Sequence, residues 1–174
     1  EIMAGEGLLD TIADGELANK GNISPEWADP SFDPGRTHSI PYQWGSTSFS
    51  VNTEDYTGDI NTTDILFNPP AELSGKINVL DSQGEVMALA SLHMGFPQCD
   101  TDRAQLSALN DMLQNAKTHW ASFNSDTAKE VLVSGDVSVG MIYDGFSAKA
   151  RAERASITYA FPTQGYVVWM DNVV

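Results

Sequence analysis

Strand-type and helix-type segments alternate along most of this chain, and that alternation constrains its fold more than any other feature. Lys76-Ile77-Asn78-Val79-Leu80 reads as a short strand that ends at Asp81-Ser82, a helix N-cap pair. Glu85 to Met94 then carries Val86, Leu89, Ala90 and His93 at helical spacing. From Arg103 to Trp120, Leu106, Leu109, Leu113, Ala116 and Trp120 recur with a 3-or-4 period, the pattern of a longer helix. Ser125-Asp126 can cap a short helix from Thr127 to Val133, closed by Gly135. Val137 to Tyr143 reads as a buried strand, Ser147 to Arg154 as a helix and Ile157 to Phe161 as a strand; a turn at Pro162-Thr163-Gln164-Gly165 leads to a last strand. This order predicts the α/β class, with a largely parallel or mixed sheet flanked by helices.

Ahead of that core, residues 1–38 are turn-rich after a first short helix, because Pro25, Pro30 and Pro34 with Gly21 and Gly35 interrupt regular structure. Ser39 to Asn52 is a long β-type stretch, with Gly45 placed for a bulge or a close backbone approach. Residues 53–75 read as loop. Glu1 to Leu9 resembles the middle or end of a helix, and Tyr166 to Val174 stops inside a strand. Ends of this kind are expected of a fragment, or of a piece of a larger chain.

Charge limits the partners. Against 24 Asp and Glu stand 9 Lys and Arg, a formal charge of −15 over 174 residues. That counts against nucleic acid or an anionic membrane, which need clustered cations, and leaves room for cationic ligands. No run of about 18 apolar residues is available for a transmembrane helix. A single cysteine, Cys99, excludes an internal disulfide and a Cys-based zinc site.

Enzymatic motifs are scarce. No glycine-rich phosphate loop, His-Glu-x-x-His pair or G-x-S-x-G elbow occurs. His93 and His119 lie on predicted helices, where packed or surface positions are the ordinary outcome. Glu85 and Asp171 could serve as a carboxylate pair in a hydrolase, although 24 acids make any chosen pair weak evidence. More informative are aromatics beside acids at strand-to-helix junctions. Tyr143 stands at the carboxyl end of a strand, where ligands of open α/β sheets bind. Trp169 and Asp171, two residues apart on one strand, share a face. An aromatic wall beside a carboxylate suits an alkylammonium, through cation–π contact and a charge-assisted hydrogen bond. Core positions for Tyr143 and Trp169, with Asp171 in a turn, are the equal alternative from spacing alone.

A run of ordered motifs adds to this reading. Asp33-Pro34 is followed by Ser39-Ile40-Pro41-Tyr42-Gln43-Trp44-Gly45, then Pro70-Ala71-Glu72-Leu73-Ser74-Gly75-Lys76 and Glu85-Val86. Gly140-Met141-Ile142-Tyr143-Asp144-Gly145 and Pro162-Thr163-Gln164-Gly165 leading to Trp169-Met170-Asp171 complete the series. Over nearly its whole length the chain resembles the spermidine/putrescine-binding family of extracellular solute-binding proteins of bacterial ABC importers. The resemblance implies a lobe of the type II periplasmic binding protein fold. In that frame, residues 1–38 end the first lobe, 39–52 form a hinge crossover strand, 53–160 make the second lobe and 161–174 return toward the hinge. It also implies a periplasmic location, permease subunits as partners, no cofactor, no metal and no catalysis. Glu85, Tyr143, Trp169 and Asp171 match the family's ligand-contact positions, and Ser125 matches a further one. In the family the aromatics sandwich a methylene chain and the acids bind amino groups.

Three positions depart from that pattern. Tyr143 replaces the usual Trp, Ser82 lies near a position that is acidic in a spermidine binder, and Phe146 stands where a putrescine binder has Asp. Fewer carboxylates make a single-amine ligand such as 4-aminobutyrate an alternative to a polyamine. Its carboxylate would need a cation, for which Arg151 and Arg154 are the nearest in sequence.

Overall fold

The computed structural model describes residues 2–13 and 15–174. Glu1, part of the helical reading at the start of the chain, lies outside the described residues. Two compact units divide the chain: one contains residues up to Trp44 together with Trp169–Val174, the other Gly45–Val168.

The larger unit is built around a mixed sheet. β1 (Ile40–Asn52) enters it at Gly45, and β2 (Ile77–Val79), β3 (Trp120–Phe123), β4 (Val139–Tyr143) and β5 (Ile157–Tyr159) follow, in the spatial order β3-β2-β4-β1-β5. β6 (Val167–Val173) pairs with β1 off this path. β2 runs parallel to β3 and β4, whereas β1 is antiparallel to β4 and β5. In the β1–β4 register Thr47 stands opposite Tyr143, and Val51 opposite Val139.

Helices supply the covering layers. α1 (Ile2–Gly5) and α2 (Pro25–Ala28) belong to the smaller unit; α3 (Asp64–Phe67), α4 (Gln83–Met94), α5 (Arg103–Ala116), α6 (Ala128–Ser134) and α7 (Asp144–Glu153) belong to the larger. One core joins Phe49, Val51, Ile77, Val79, Val139 and Met141 of the sheet to Leu89, Leu109 and the α3 side chains. A second gathers Leu132, Val137, Ile142, Ala150 and Ile157. Gly140 lets α6 lie close to β4: a Cβ there would meet the buried Leu132 side chain at 2.9 Å. Most polar groups inside the sheet are paired, as burial demands, although the buried Ser48 hydroxyl of β1 has no partner among the described residues. Asn78 donates to the Asn124 carbonyl at 2.9 Å and accepts from Ser122 Oγ at 2.7 Å.

The α/β reading therefore holds, with local corrections. The helix expected to reach Trp120 ends at Ala116, a 3-10 turn follows, and Trp120 opens β3. The hydrophobic period continues through Trp120, but pairing with β2 claims its backbone, and its indole N–H donates to the Leu66 carbonyl at 2.8 Å. The stretch 53–75, expected to be loop, contains α3 and a 3-10 turn at Ala71–Leu73, which bury Ile65, Leu66, Phe67 and Leu73. Ser82 precedes α4, but its side chain makes no cap bond. α7 starts at Asp144 instead of Ser147.

The histidines are packed or on the surface. His93 Nδ1 lies 2.9 Å from Thr63 Oγ1 with the Phe67 ring beside it; burial lowers its pKa, against a smaller pull from Asp64. His119 lies 2.9 Å from Ser74 Oγ.

In the smaller unit, a loop folds around Asp33 and Arg36. Burial would raise the Asp33 carboxyl pKa, but hydrogen bonds from the Ser39 hydroxyl, the His38 and Thr37 amides and the Thr37 hydroxyl outweigh it and bring the pKa to about 2. Arg36 is fully buried, with φ at 55°.

Candidate ligand-binding site

Glu85 is the third residue of α4, so its carboxylate lies in the first turn, where the helix dipole favours negative charge. Both carboxylate oxygens are engaged. Thr47 Oγ1 of β1 donates to Oε1 at 2.6 Å, and the Tyr143 hydroxyl of β4 donates to Oε2 at 2.9 Å. Because Thr47 and Tyr143 face each other across the β1–β4 pair, they hold the acid from adjacent strands of one sheet. Each carboxylate oxygen has two lone pairs, so Glu85 keeps capacity for a cationic donor.

Beside this trio is a second polar cluster. Asp144 Oδ2 accepts from the Ser46 amide at 3.0 Å and the Ser46 hydroxyl at 3.1 Å, while Oδ1 accepts from the Gly145 amide at 2.7 Å. Ser46 Oγ is 3.0 Å from the Tyr159 hydroxyl. Burial raises the Tyr159 pKa above the usual phenol range, so it stays protonated. The Phe161 ring sits edge-on to both Tyr159 and Tyr166, and Phe146 and Phe161 are exposed. A half-buried acid, hydroxyls and exposed aromatic rings thus occupy one end of the larger unit's sheet.

Of the residues singled out from sequence, the larger unit brings Glu85 and Tyr143 into direct contact. Ser125 lies beside Tyr143 in a cavity of about 40 Å³ shared with Leu80 and Phe146, and its Oγ accepts the Asp81 amide at 2.8 Å. Trp169 and Asp171 belong to the smaller unit, on β6, where Gln43 Nε2 approaches Asp171 Oδ2 at 3.4 Å. Arg154, weighed as a partner for a ligand carboxylate, instead pairs with Glu54 at 3.0 Å and reaches the Val133 carbonyl. Thr47 and the Ser46–Asp144–Tyr159 cluster were not apparent from sequence. The adjacent hydroxyls of Ser46 and Thr47 inside a strand were the available signal, since most buried hydroxyls are partnered.

Over 172 residues the chain is 30% identical to the spermidine/putrescine-binding periplasmic protein of Escherichia coli, covering 98% of the chain and 49% of that protein. The chain is homologous to the spermidine/putrescine-binding periplasmic proteins. It is also 30% identical over 185 residues to the putrescine/cadaverine-binding protein of Pseudomonas aeruginosa, covering 52% of it. The spermidine/putrescine ABC transporter substrate-binding protein PotD of Streptococcus pneumoniae superposes with a TM-score of 0.86 at 26% identity, over 98% of this chain and 52% of that one. No protein-family model matches the chain. The chain spans about half the length of the relatives it matches. Its mixed sheet with flanking helices is the fold of such binding proteins. Among the described residues, no helix is long and apolar enough to cross a membrane.

Proposed function

We propose that this chain forms part of a periplasmic solute-binding protein that captures a polyamine of the putrescine or spermidine type and delivers it to the permease of an ABC importer, without chemical turnover. The larger unit corresponds to the second lobe, and residues 1–38 to the end of the first. The observation that carries the reading is the Glu85 carboxylate, fixed by Thr47 and Tyr143 and still able to accept. A fixed acid beside an aromatic ring recognises an alkylammonium through a charge-assisted hydrogen bond and ring contact. Within the smaller unit Trp169 and Asp171 again offer an aromatic and an acid as ligand groups, and in the larger unit Ser125 is a further candidate beside Tyr143. The names of the homologues support the substrate class.

A polyamine is preferred to 4-aminobutyrate because the names of the homologues give polyamines; of the two cations weighed for a ligand carboxylate, Arg154 pairs with Glu54 and Arg151 lies exposed in the last turn of α7. Calorimetry of the complete protein with putrescine, spermidine and 4-aminobutyrate tests the choice. Micromolar or tighter binding of a polyamine, with none of 4-aminobutyrate, is expected. Silence with both polyamines overturns the reading, and so does turnover of an amine that is lost on Glu85→Gln.

A further inference from the structure

We infer that Arg36 is a positioning residue that sets the face of β6 on which Trp169 and Asp171 are displayed. The inference rests on the reading of those two side chains as ligand groups. Every contact it uses lies within the smaller unit.

Arg36 is fully buried, which is unusual for a guanidinium and requires its donors to be paired. Two of those donors anchor it to its own side of the unit: Nε and Nη2 both donate to the Trp27 carbonyl, at 2.9 and 2.6 Å. Nη1 donates to Ser39 Oγ at 3.2 Å, and that hydroxyl in turn donates to Asp33 Oδ2 at 2.7 Å. The remaining contacts reach β6. Nη1 donates to Asn172 Oδ1 at 2.5 Å, and Nη2 lies 3.4 Å from Met170 Sδ.

Met170 and Asn172 are two residues apart, so they share one face of the strand and Trp169 and Asp171 share the other. A planar, rigid fork that holds both members of the first pair fixes which way the second pair points. The Arg36 backbone sits at φ 55°, in the left-handed region that non-glycine residues seldom adopt, so the loop holds this side chain at a conformational cost. Asp33 is saturated by its own loop, which leaves the guanidinium to grip the strand.

The sign of the effect separates positioning from charge. Removing a cation beside an ammonium site would by itself tighten binding of a cationic ligand, whereas loss of positioning weakens it. The test measures putrescine and spermidine affinity calorimetrically in the complete protein for Arg36→Met, Asn172→Ala and Asp171→Asn, and for Arg36→Met combined with Asp171→Asn. All are measured well below their melting temperatures. Arg36→Met is expected to weaken binding about tenfold and Asn172→Ala about threefold. In the Asp171→Asn background, Arg36→Met is expected to add less than twofold, because residues acting through one another are not additive. In ¹H–¹⁵N spectra of the ligand-free protein, the Trp169 indole and the amides of residues 170–172 shift in Arg36→Met, and the Trp120 indole does not.

Tighter or unchanged binding by Arg36→Met overturns the inference, and so does full additivity with Asp171→Asn. If Arg36→Met does not fold, Asn172→Ala carries the same test alone, and unchanged affinity with unshifted Trp169 resonances overturns the inference. If Asp171→Asn itself leaves affinity untouched, the reading of the ligand groups fails, and the inference with it.

Discussion

Replacing Glu85 with Gln separates the charge of the site from its shape. Gln has nearly the same volume and can still join the trio, because the Thr47 and Tyr143 hydroxyls can each donate or accept. The amide carbonyl would take one hydroxyl proton and the amide NH₂ would donate to the other oxygen. What is lost is charge. A hydrogen bond to a charged group contributes about 1.5–3 kcal/mol, against about 0.5–1.5 for a neutral one. The carboxylate also sits in the first turn of α4, worth a further ~0.3–1 kcal/mol in the field of the helix. Over two bonds these terms come to roughly 2–4 kcal/mol; solvent screening of the partly exposed acid brings the expected loss of stability to roughly 1–2 kcal/mol, small enough to leave the fold intact. A polyamine ammonium loses its charged partner, worth about 1.5–3 kcal/mol, so affinity should fall roughly 10- to 150-fold. Calorimetric titration with putrescine and spermidine measures affinity, and urea unfolding of the same samples measures stability. An affinity within twofold of the parent, in a protein that unfolds normally, would refute the assignment of Glu85 as a ligand group.

Two further predictions concern the scaffold. Asp33 titrates at about 2 in the folded chain, below the usual ~3.9 of an unfolded Asp; its contribution is therefore present above about pH 4 and is lost as the pH falls toward 2. Asp33→Asn should lower stability at neutral pH by on the order of 1–2 kcal/mol and flatten the acid limb of urea unfolding between pH 4 and 2. An unchanged limb would count against the hydrogen-bonded carboxylate. Gly140→Ala puts a Cβ against Leu132, a fully buried side chain with little room to move. It should cost about 1–3 kcal/mol by overpacking while polyamine affinity stays within twofold; a neutral melting temperature would show that α6 can shift away from β4.

The sequence shows most clearly what repeats locally. Alternating apolar segments announce β4, α5 and the α/β class, because burial of a helix stripe or a strand is written at fixed spacing. Glu85 and Tyr143 are also legible, at the start of a helix and the end of a strand. The strand at Trp120 is not, because its leucine period belongs equally to a longer helix; the deciding events are pairing with β2 and an indole bond to Leu66, 54 residues earlier. α3 is hidden for a related reason. A four-residue helix is too short to show a period, and only the tertiary core explains why Ile65, Leu66 and Phe67 are buried together. Thr47 is 38 residues from Glu85, and Ser46 is 98 from Asp144. Separations of that size are set by how strands align, which local pattern does not encode.

That dependence has a consequence for the pairing of β1 with β4. The two hydroxyls that hold Glu85 come from residues that face each other in that ladder. A slip of one residue would turn Thr47 to the opposite side of the sheet, since side chains alternate with a period of two. The acid would then lose one of its two holders, and the same slip would turn Phe49 and Val51 away from the core they fill. Amine affinity would thus report directly on strand alignment. A single-residue insertion or deletion between Ser46 and Phe49 should therefore erase binding and lower the melting temperature together, whereas one in the loop at 53–63 should leave binding in place.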